Sequence, residues 1–424
     1  MKRLFSWVAM EFNAQIALFT VLTALVGSAA VNILAGMLNI RGLSFVIPKE
    51  FEGYYDAARY KKSQDYLREQ TIIDVVETGF FAVLVSAAVL LHAFESADRA
   101  ARHFLFGPIV TGLVFFLIVM LPFFLLRLPF AAYRIFAIEK RYGFNRMSFS
   151  TFSLDQLKSL ALLIVLGGAV LAAVLWFFEK AGAWAWVYAW LCVFAFELFM
   201  AFVAPVAIMP LFNKFVPLPD CELRRAIEDF ARAQNFQIQN IYSMDGSRRS
   251  SKANAMFAGF GRSRRVVLYD TLIHKHAAPE LVGVLAHEIG HYRHGHILKF
   301  LAVSFVTTGF MFFFLSVLMR SGAFFAAFGV STPSVYAGFA FFAVLWMPID
   351  ILASVFNNWL SRRFEYEADA FVVSSGVKPE IMIECLKKMS VDHLANLTPH
   401  PLKVLLGYGH PPILKRIDAI RSVV

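Results

Sequence analysis

At 424 residues the chain is long enough for two or three soluble domains, yet 58% of it is hydrophobic and only 17% charged, with 46 Phe. Soluble chains run at roughly 45–50% apolar, so a purely water-soluble enzyme or binding module is excluded and the chain reads as an integral membrane protein. The formal charge of +10 does not make it a nucleic-acid binder, because the basic clusters RSRR (262–265) and SRR (247–249) are short, lack interleaved stacking aromatics and suit a face turned to anionic lipid headgroups.

Seven apolar stretches are long enough to cross a bilayer, for which about 20 residues are needed. They run over roughly 14–37, 71–93, 104–126, 157–178, 184–212, 299–319 and 335–360. The first has two readings. MKRLFSWVAM followed by a run ending LVGSAA is similar to a secretory signal peptide, but the run is too long for a signal core and Glu11 is out of place in one, which favours an uncleaved span. The 184–212 stretch is a long tilted span or a span plus an interfacial turn.

Lys and Arg set the orientation. The loops at 38–70 and 127–156 carry eleven of them, whereas the N-terminus and the loops at 94–103, 179–183 and 320–334 carry six. The polar segments share the more basic side and are expected in the cytosol, with the N-terminus outside. The membrane would be the bacterial inner membrane or, in a eukaryote, the endoplasmic reticulum. The implied organisation is a transmembrane region of five spans (1–214), a polar segment (215–298), two further spans (299–360) and a C-terminal polar segment (361–424), with no internal repeat. Cys192, Cys221 and Cys385 lie far apart and match no CxxC spacing, against a structural disulfide or a thiolate zinc site.

Between 215 and 297 the pattern predicts helix, strand, strand, helix. CELRRAIEDFARAQN spaces its apolar residues helically behind Asp220 as N-cap. IQNIYSMD and RRVVLYD are rich in β-branched and aromatic residues. PELVGVLAHEIGHYRHGHILKF begins with Pro279 in its first turn and has no breaker before the sixth span apart from Gly283, Gly290 and Gly295.

That last helix carries HExxH as His287, Glu288, Ile289, Gly290 and His291. Positions i and i+4 share a helix face, so two imidazoles can converge on one ion at ~2.0–2.1 Å. Glu288 then stands where it can activate a water without ligating. A catalytic zinc site needs a third protein ligand. The pattern HExxHxxGxxH would place Gly at 294 and His at 297, where the chain has His294 and Ile297, so that pattern fails. His294, seven residues after His287 and close to its face, is assigned a place behind a ligand or at the rim, and His296 the membrane interface. The third ligand is sought 74 residues after His291, in SRRFEYEADAF, where Glu365 and Asp369 share a helical face. One ligates while the other hydrogen-bonds a ligand histidine and fixes its tautomer. Glu367 points elsewhere, into solvent.

With these residues in place the chain resembles, over nearly its whole length, the type I CAAX prenyl proteases, membrane zinc endopeptidases of the gluzincin type. The resemblance rests on six pieces in order. They are YKKSQDYLRE (60–69), PFAAYRIFAIEKRYGFN (129–145), KANAMFAGFGRSRRVVLYDTL (252–272), HEIGH, SRRFEYEADAF and GHPPILKRIDAI (409–420). Lys252 and Ala253 depart from the family's pattern.

The resemblance implies a mainly α, polytopic fold: about seven transmembrane helices with a gluzincin-like zinc protease domain containing a small β-sheet. It implies one Zn2+ per chain on His287, His291 and Glu365, with Glu288 as the catalytic glutamate and Asp369 bonded to a ligand histidine. Asn254 and Ala255 would lie on an edge strand that pairs with substrate backbone. His410 of GHPP would sit beside the metal and help hold the oxyanion, the alternative being a helix cap before Pro-Pro. A wide intramembrane chamber is implied as well, which Glu77, Glu197 and Asp350 line unless they make helix-end or interhelical hydrogen bonds.

The implied activity is cleavage near the C-terminus of prenylated, CAAX-type or membrane-associated peptides; the alternative within the class is a membrane quality-control protease without prenyl dependence. A transporter with a vestigial metal site would need paired discontinuous spans and internal symmetry, which the sequence lacks. A protease with its HExxH in mid-bilayer is excluded by the polar flanks Lys275, Arg293, His294, His296 and Lys299. The partners are thus a peptide substrate and the lipid bilayer, not nucleic acid; the sequence is silent on oligomeric state.

Overall fold

The computed structural model describes residues 14–258, 265–330 and 332–423. The MKRLFSWVAM stretch with Glu11, and residues 262–264 of the RSRR cluster, lie outside them. Among the described residues seven helices are long and apolar enough to cross a membrane: Gln15–Arg41, Ala57–Leu90, Pro108–Tyr142, Phe149–Lys180, Gly182–Phe212, His296–Leu318 and Val335–Ser374. Each overlaps one apolar stretch of the sequence. Several run on beyond it, because helical hydrogen bonding does not stop where the hydrocarbon does. The second span starts at Ala57, capped by the Asp56 carboxylate, which accepts from the Arg59 amide at 2.6 Å. The fifth is one helix with a π turn at Ala204–Ile208, where Pro205 removes a backbone donor.

Among the described residues, the polar segment after the fifth span holds four strands rather than two. β1 (Phe215–Pro217), β2 (Asn240–Met244), β3 (Ala255–Ala258) and β4 (Arg265–Tyr269) lie in the order β1-β2-β4-β3. β2 and β4 are parallel, with Ile241 opposite Val266, and the outer strands are antiparallel to their neighbours. β1 is too short to show a period, and β3 was expected only from the resemblance. Alternation gives the sheet two faces. Ile241, Val266 and Leu268 pack with Ile227, Leu281, Leu285 and Ile289 of α1 (Glu222–Ala233) and α3 (Ala278–Arg293). Met244 and Val267 turn the other way, against Met209 of the fifth span.

Three local expectations change. α1 has Cys221 at its N-cap position without a side-chain cap, and Asp220 instead pairs with Arg225 at 3.2 Å. A short helix, α2 (Asp270–Lys275), follows β4. The single helix expected to run into the sixth span is broken: α3 ends at Arg293, the span starts at His296, and Gly295 between them has φ +64°. Glycine adopts that left-handed conformation without steric cost.

The seventh span is one helix of 40 residues, so the last apolar stretch and SRRFEYEADAF form a single rod that passes residue 360 without a break. α4 (Pro379–Asp392) packs on α3, and α5 (Pro401–Gly407) and α6 (Ile413–Ser422) pack on the seventh span. α6 brings Arg416 back to the HExxH helix.

Candidate metal centre

α3 and the seventh span touch at Gly290 and Ala368. A Cβ on Gly290 would stand 3.0 Å from Ala368 Cα and 3.1 Å from its carbonyl oxygen, so a glycine between the two histidines lets the backbones meet. His287 and His291 flank that contact on α3, and Glu365 lies one turn before Ala368 on the span. The crossing brings His287 Nε2 to 3.1 Å from His291 Nε2 and 3.4 Å from Glu365 Oε2, with His291 Nε2 3.2 Å from Glu365 Oε1.

These residues fit a metal ion. The three ligand atoms lie within 4.8 Å of one another. Their separations match the edge of a tetrahedron with bonds of ~2.0–2.1 Å, about 3.3–3.4 Å. The far nitrogen of each ring is already engaged: His287 Nδ1 with Asp369 Oδ1 at 2.9 Å, and His291 Nδ1 with His296 Nδ1 at 2.8 Å. With the ring protons there, two lone pairs and a carboxylate point at one another, and buried Glu365 Oε2 accepts no well-aligned hydrogen bond, only the Arg416 guanidinium lying 3.3 Å away. Burial resists a charge on His287, but the Asp369 and Glu365 carboxylates outweigh it and push its pKa up to about 9. That local excess of negative charge calls for a cation.

The two ring supports differ. Asp369 is buried and receives Arg416 on both oxygens, at 2.7 and 2.8 Å, while Arg416 also reaches Glu365 Oε2 at 3.3 Å. On the other side stands His296, which the sequence assigned to the membrane interface. It is 2% exposed, stacked on Phe364 at 4.0 Å, with Nε2 3.0 Å from Glu367 Oε2. Glu367 is therefore not a solvated bystander; it also meets Arg363 at 3.2 Å and Lys299 at 3.6 Å. No spacing rule could have found either residue, because the break at Gly295 swings His296 back. In an unbroken helix a residue five positions on lies about 140° round from His291. His294 stays at the rim, its Nδ1 2.9 Å from the Gly290 carbonyl oxygen.

Glu288 is half-buried beside the three, and burial pushes its carboxyl upward against the pull of His287 and His291. His410 sits at the exposed mouth with Nε2 3.4 Å from Glu365 Oε1. It caps no helix; α6 has Pro412 in the N-cap position.

Among the described residues β3 pairs only with β4, so it is the sheet's edge. Asn254 O accepts from the Tyr269 amide at 3.0 Å, which by antiparallel alternation turns the Ala255 and Phe257 backbones to the open side. Asn254 Oδ1 meanwhile accepts from the Ala255 amide at 2.9 Å. The start of the strand is tied down by contacts that the sequence did not show. The Ala253 amide donates to His393 Nε2 at 3.0 Å, and Lys252 Nζ donates to Tyr66 Oη at 2.8 Å and pairs with Glu139 at 3.2 Å.

Of the three intramembrane acids, Glu77 lines a cavity of about 980 Å³ between the spans, facing Arg134 at 2.8 Å and Arg127 at 3.3 Å. Glu197 instead accepts from Ser304 Oγ at 2.8 Å, between the fifth and sixth spans, and Asp350 is exposed and not among the residues that line this cavity. A second cluster joins His276, Glu280 and Cys385. There Lys388 already holds Glu280 at 2.6 Å, and burial pushes the Cys385 thiol up to about 12, which makes it a hydrogen-bonded clasp between α3 and α4.

Two family profiles match the chain: CAAX prenyl protease N-terminal, five membrane helices, over residues 37–214, and peptidase family M48 over residues 217–424. A CAAX prenyl protease 1 homolog of Arabidopsis thaliana is 34% identical over 385 residues, covering 88% of this chain and 90% of its own. CAAX prenyl protease 1 of Saccharomyces cerevisiae is 31% identical over 358 residues, covering 81% and 77%. The crystal structure of S. mikatae Ste24p superposes with a TM-score of 0.89 at 27% identity, over 95% of this chain and 98% of that one. Both the membrane bundle and the HExxH half are thus matched in one continuous alignment, and the chain belongs to peptidase family M48, among the CAAX prenyl proteases, as an integral-membrane metalloendopeptidase.

Proposed function

We propose that this enzyme is a zinc endopeptidase that cuts near the C-terminus of prenylated, CAAX-type or other membrane-associated peptides, with its polar segments in the cytosol. The observation that carries the reading is the convergence of two imidazole lone pairs and a buried carboxylate within 3.1–3.4 Å, both rings being held from behind. Nitrogen and oxygen donors in tetrahedral spacing are the chemistry zinc prefers. His287, His291 and Glu365 would hold one Zn2+ per chain. When bound, the ion supplies Lewis acidity, polarising a carbonyl and making a water easier to deprotonate.

The chain's own groups do the rest. Glu288 takes a proton from the attacking water and later gives it to the leaving amine, a role its raised carboxyl pKa suits. His410, at the open mouth, donates to the carbonyl oxygen as negative charge develops, a contact worth about 3–4 kcal/mol in such sites. Asp369 fixes the tautomer of His287. A substrate strand would add to β3, displacing the Asn254 side chain from the Ala255 amide and reading backbone rather than side chains. The cavity of about 980 Å³ between the spans supports a lipid-bearing substrate, and the names of the relatives point the same way. The basic loops at 38–70 and 127–156 support the cytosolic side.

The test is to give the purified, zinc-loaded protein a farnesylated peptide and its unfarnesylated twin and read the cut sites by mass. Cleavage near the C-terminus of the farnesylated peptide alone is expected. Equal cutting of both would replace prenyl dependence with a general membrane-protein protease, and no cutting of either, with zinc bound, would sink the peptidase assignment for these substrates.

A further inference from the structure

Four histidines crowd the end of α3 and the turn after it, and the chemistry above uses two of them. Of the other two, His294 stays at the rim against the Gly290 carbonyl oxygen, while the structure buries His296 against a ligand ring rather than leaving it at the membrane surface. We propose that His296 and Glu367 form a proton-ordering chain that positions His291 for the metal, the counterpart on one side of the centre of Asp369 and Arg416 on the other. This rests on the zinc reading of His287, His291 and Glu365.

Hydrogen-bond bookkeeping gives the chain its direction. For His291 to offer a lone pair from Nε2, its proton must sit on Nδ1, which then donates to His296 Nδ1 at 2.8 Å. His296 Nδ1 must therefore be bare, and its own proton lies on Nε2, donated to Glu367 Oε2 at 3.0 Å. One carboxylate at the end thus selects the tautomer of two rings in series. Glu367 is held in place by Arg363 at 3.2 Å and by Lys299 at 3.6 Å, whose ammonium also lies over the Phe364 ring at 5.0 Å. Phe364 in turn lies flat against His296, 7° from parallel, and fixes its plane.

The sequence device that makes this possible is Gly295. Its left-handed backbone turns the chain by enough to bring position 296 behind position 291, and the first residue of the sixth span becomes part of the centre. The two ring supports are chemically unequal. His287 leans on a buried carboxylate directly. His291 leans on a neutral imidazole, with the carboxylate one step further out and partly in solvent. A neutral acceptor makes His291 the less basic ligand, so the chain sets how tightly that ring holds its ion.

The experiment uses the full-length protein, stripped of metal and reloaded with Co2+ or Zn2+, with metal affinity by chelator competition and the visible absorption of the cobalt form as readouts. His296→Phe keeps the stacking volume but removes the acceptor. It should weaken affinity about 10- to 100-fold, the usual cost of losing such a partner, and move the cobalt bands. His296→Gln, whose side-chain oxygen can accept the His291 proton, should recover part of both. Glu367→Ala, at a half-buried position, reads the same chain if His296→Phe fails to fold, and should weaken affinity in the same direction. His294→Gln should change neither readout. Unaltered affinity and cobalt spectrum in His296→Phe or Glu367→Ala, in a protein where His287→Ala abolishes metal binding, would overturn the inference. Failure of the unsubstituted protein to bind either metal would overturn the zinc reading itself and this inference with it.

Discussion

Charges occur in two surroundings in this molecule, and they are balanced differently. Inside the bundle, Glu77 faces Arg127 and Arg134, and Arg134 also meets Asp74, so each carboxylate beside the cavity has its own guanidinium. At the HExxH crossing, Glu365 and Asp369 share the single Arg416, and two ring lone pairs are added at the same point. The first is a set of ordinary compensated pairs. The second is an arrangement that is incomplete without another cation. A metal site is therefore recognised less by how many acids it contains than by how many lone pairs converge without an answer.

The contrast can be broken or sharpened by substitution. The largest effect is expected from Glu288→Ala, which removes the proton carrier but no ligand. Cleavage should fall by at least the 10²–10⁴-fold typical of a lost general base, while bound zinc per chain stays unchanged by elemental analysis. A variant that still cuts at near the normal rate would show that the crossing is not the reacting centre.

Next in size is Gly290→Ala. Its methyl would meet the Ala368 backbone at 3.0 Å, and backbone cannot swing aside as a side chain does. The helices must part, at a cost of about 1–3 kcal/mol, seen as a lower Tm. Metal affinity should fall with it, since the same crossing sets the Glu365 distances. Normal stability together with normal affinity would mean that the crossing is not what holds the ligands together.

A smaller effect should follow pH at the start of the edge strand. Burial, helped by Lys252 and Lys275, holds His393 at a pKa of about 4 against the usual 6.5, so its Nε2 stays free to accept from the Ala253 amide. Between those values the folded state binds fewer protons than the unfolded one. The stabilisation is complete above pH 6.5 and is lost as the pH falls through to about 4. Hydrogen-exchange protection at Ala253, the observed rate set against the intrinsic rate at each pH, should fall across that window in the normal protein and stay constant in His393→Gln. Protection unchanged from pH 7 to about 4 in the normal protein would remove His393 from the support of the strand.

The smallest effect belongs to the bundle. Glu77→Gln breaks the pairs with Arg127 and Arg134 beside a cavity and should change stability by about 0–1 kcal/mol, as partly solvated pairs do, with cleavage within about threefold of normal. A loss matching that of Gly290→Ala would erase the distinction between the two surroundings.

How much of this was legible in the residues depends on how far each feature reaches along the chain. The seven spans were, because hydropathy over about 20 residues is a local sum. The pairing of His287 with His291 was too, because a helix fixes i and i+4 on one face wherever it is placed. SRRFEYEADAF narrowed the carboxylates to Glu365 and Asp369, and the resemblance pointed to Glu365. β1, the short α2 and the missing Asp220 cap were not legible, since a few residues carry no period and a cap depends on where the chain enters the helix.

By itself, then, the sequence determined which segments are helical and apolar and which side chains share a helix face. Only the tertiary structure decided which atoms meet between helices. It turned Glu365 toward the inner ring nitrogens and Asp369 toward the outer one, and it folded His296 behind His291 through one left-handed glycine. The physical reason is that helix geometry repeats along a single chain, whereas distances between helices follow from packing. Here packing turns on the absence of a Cβ at Gly290 and a change of backbone direction at Gly295, neither of which has a period to read.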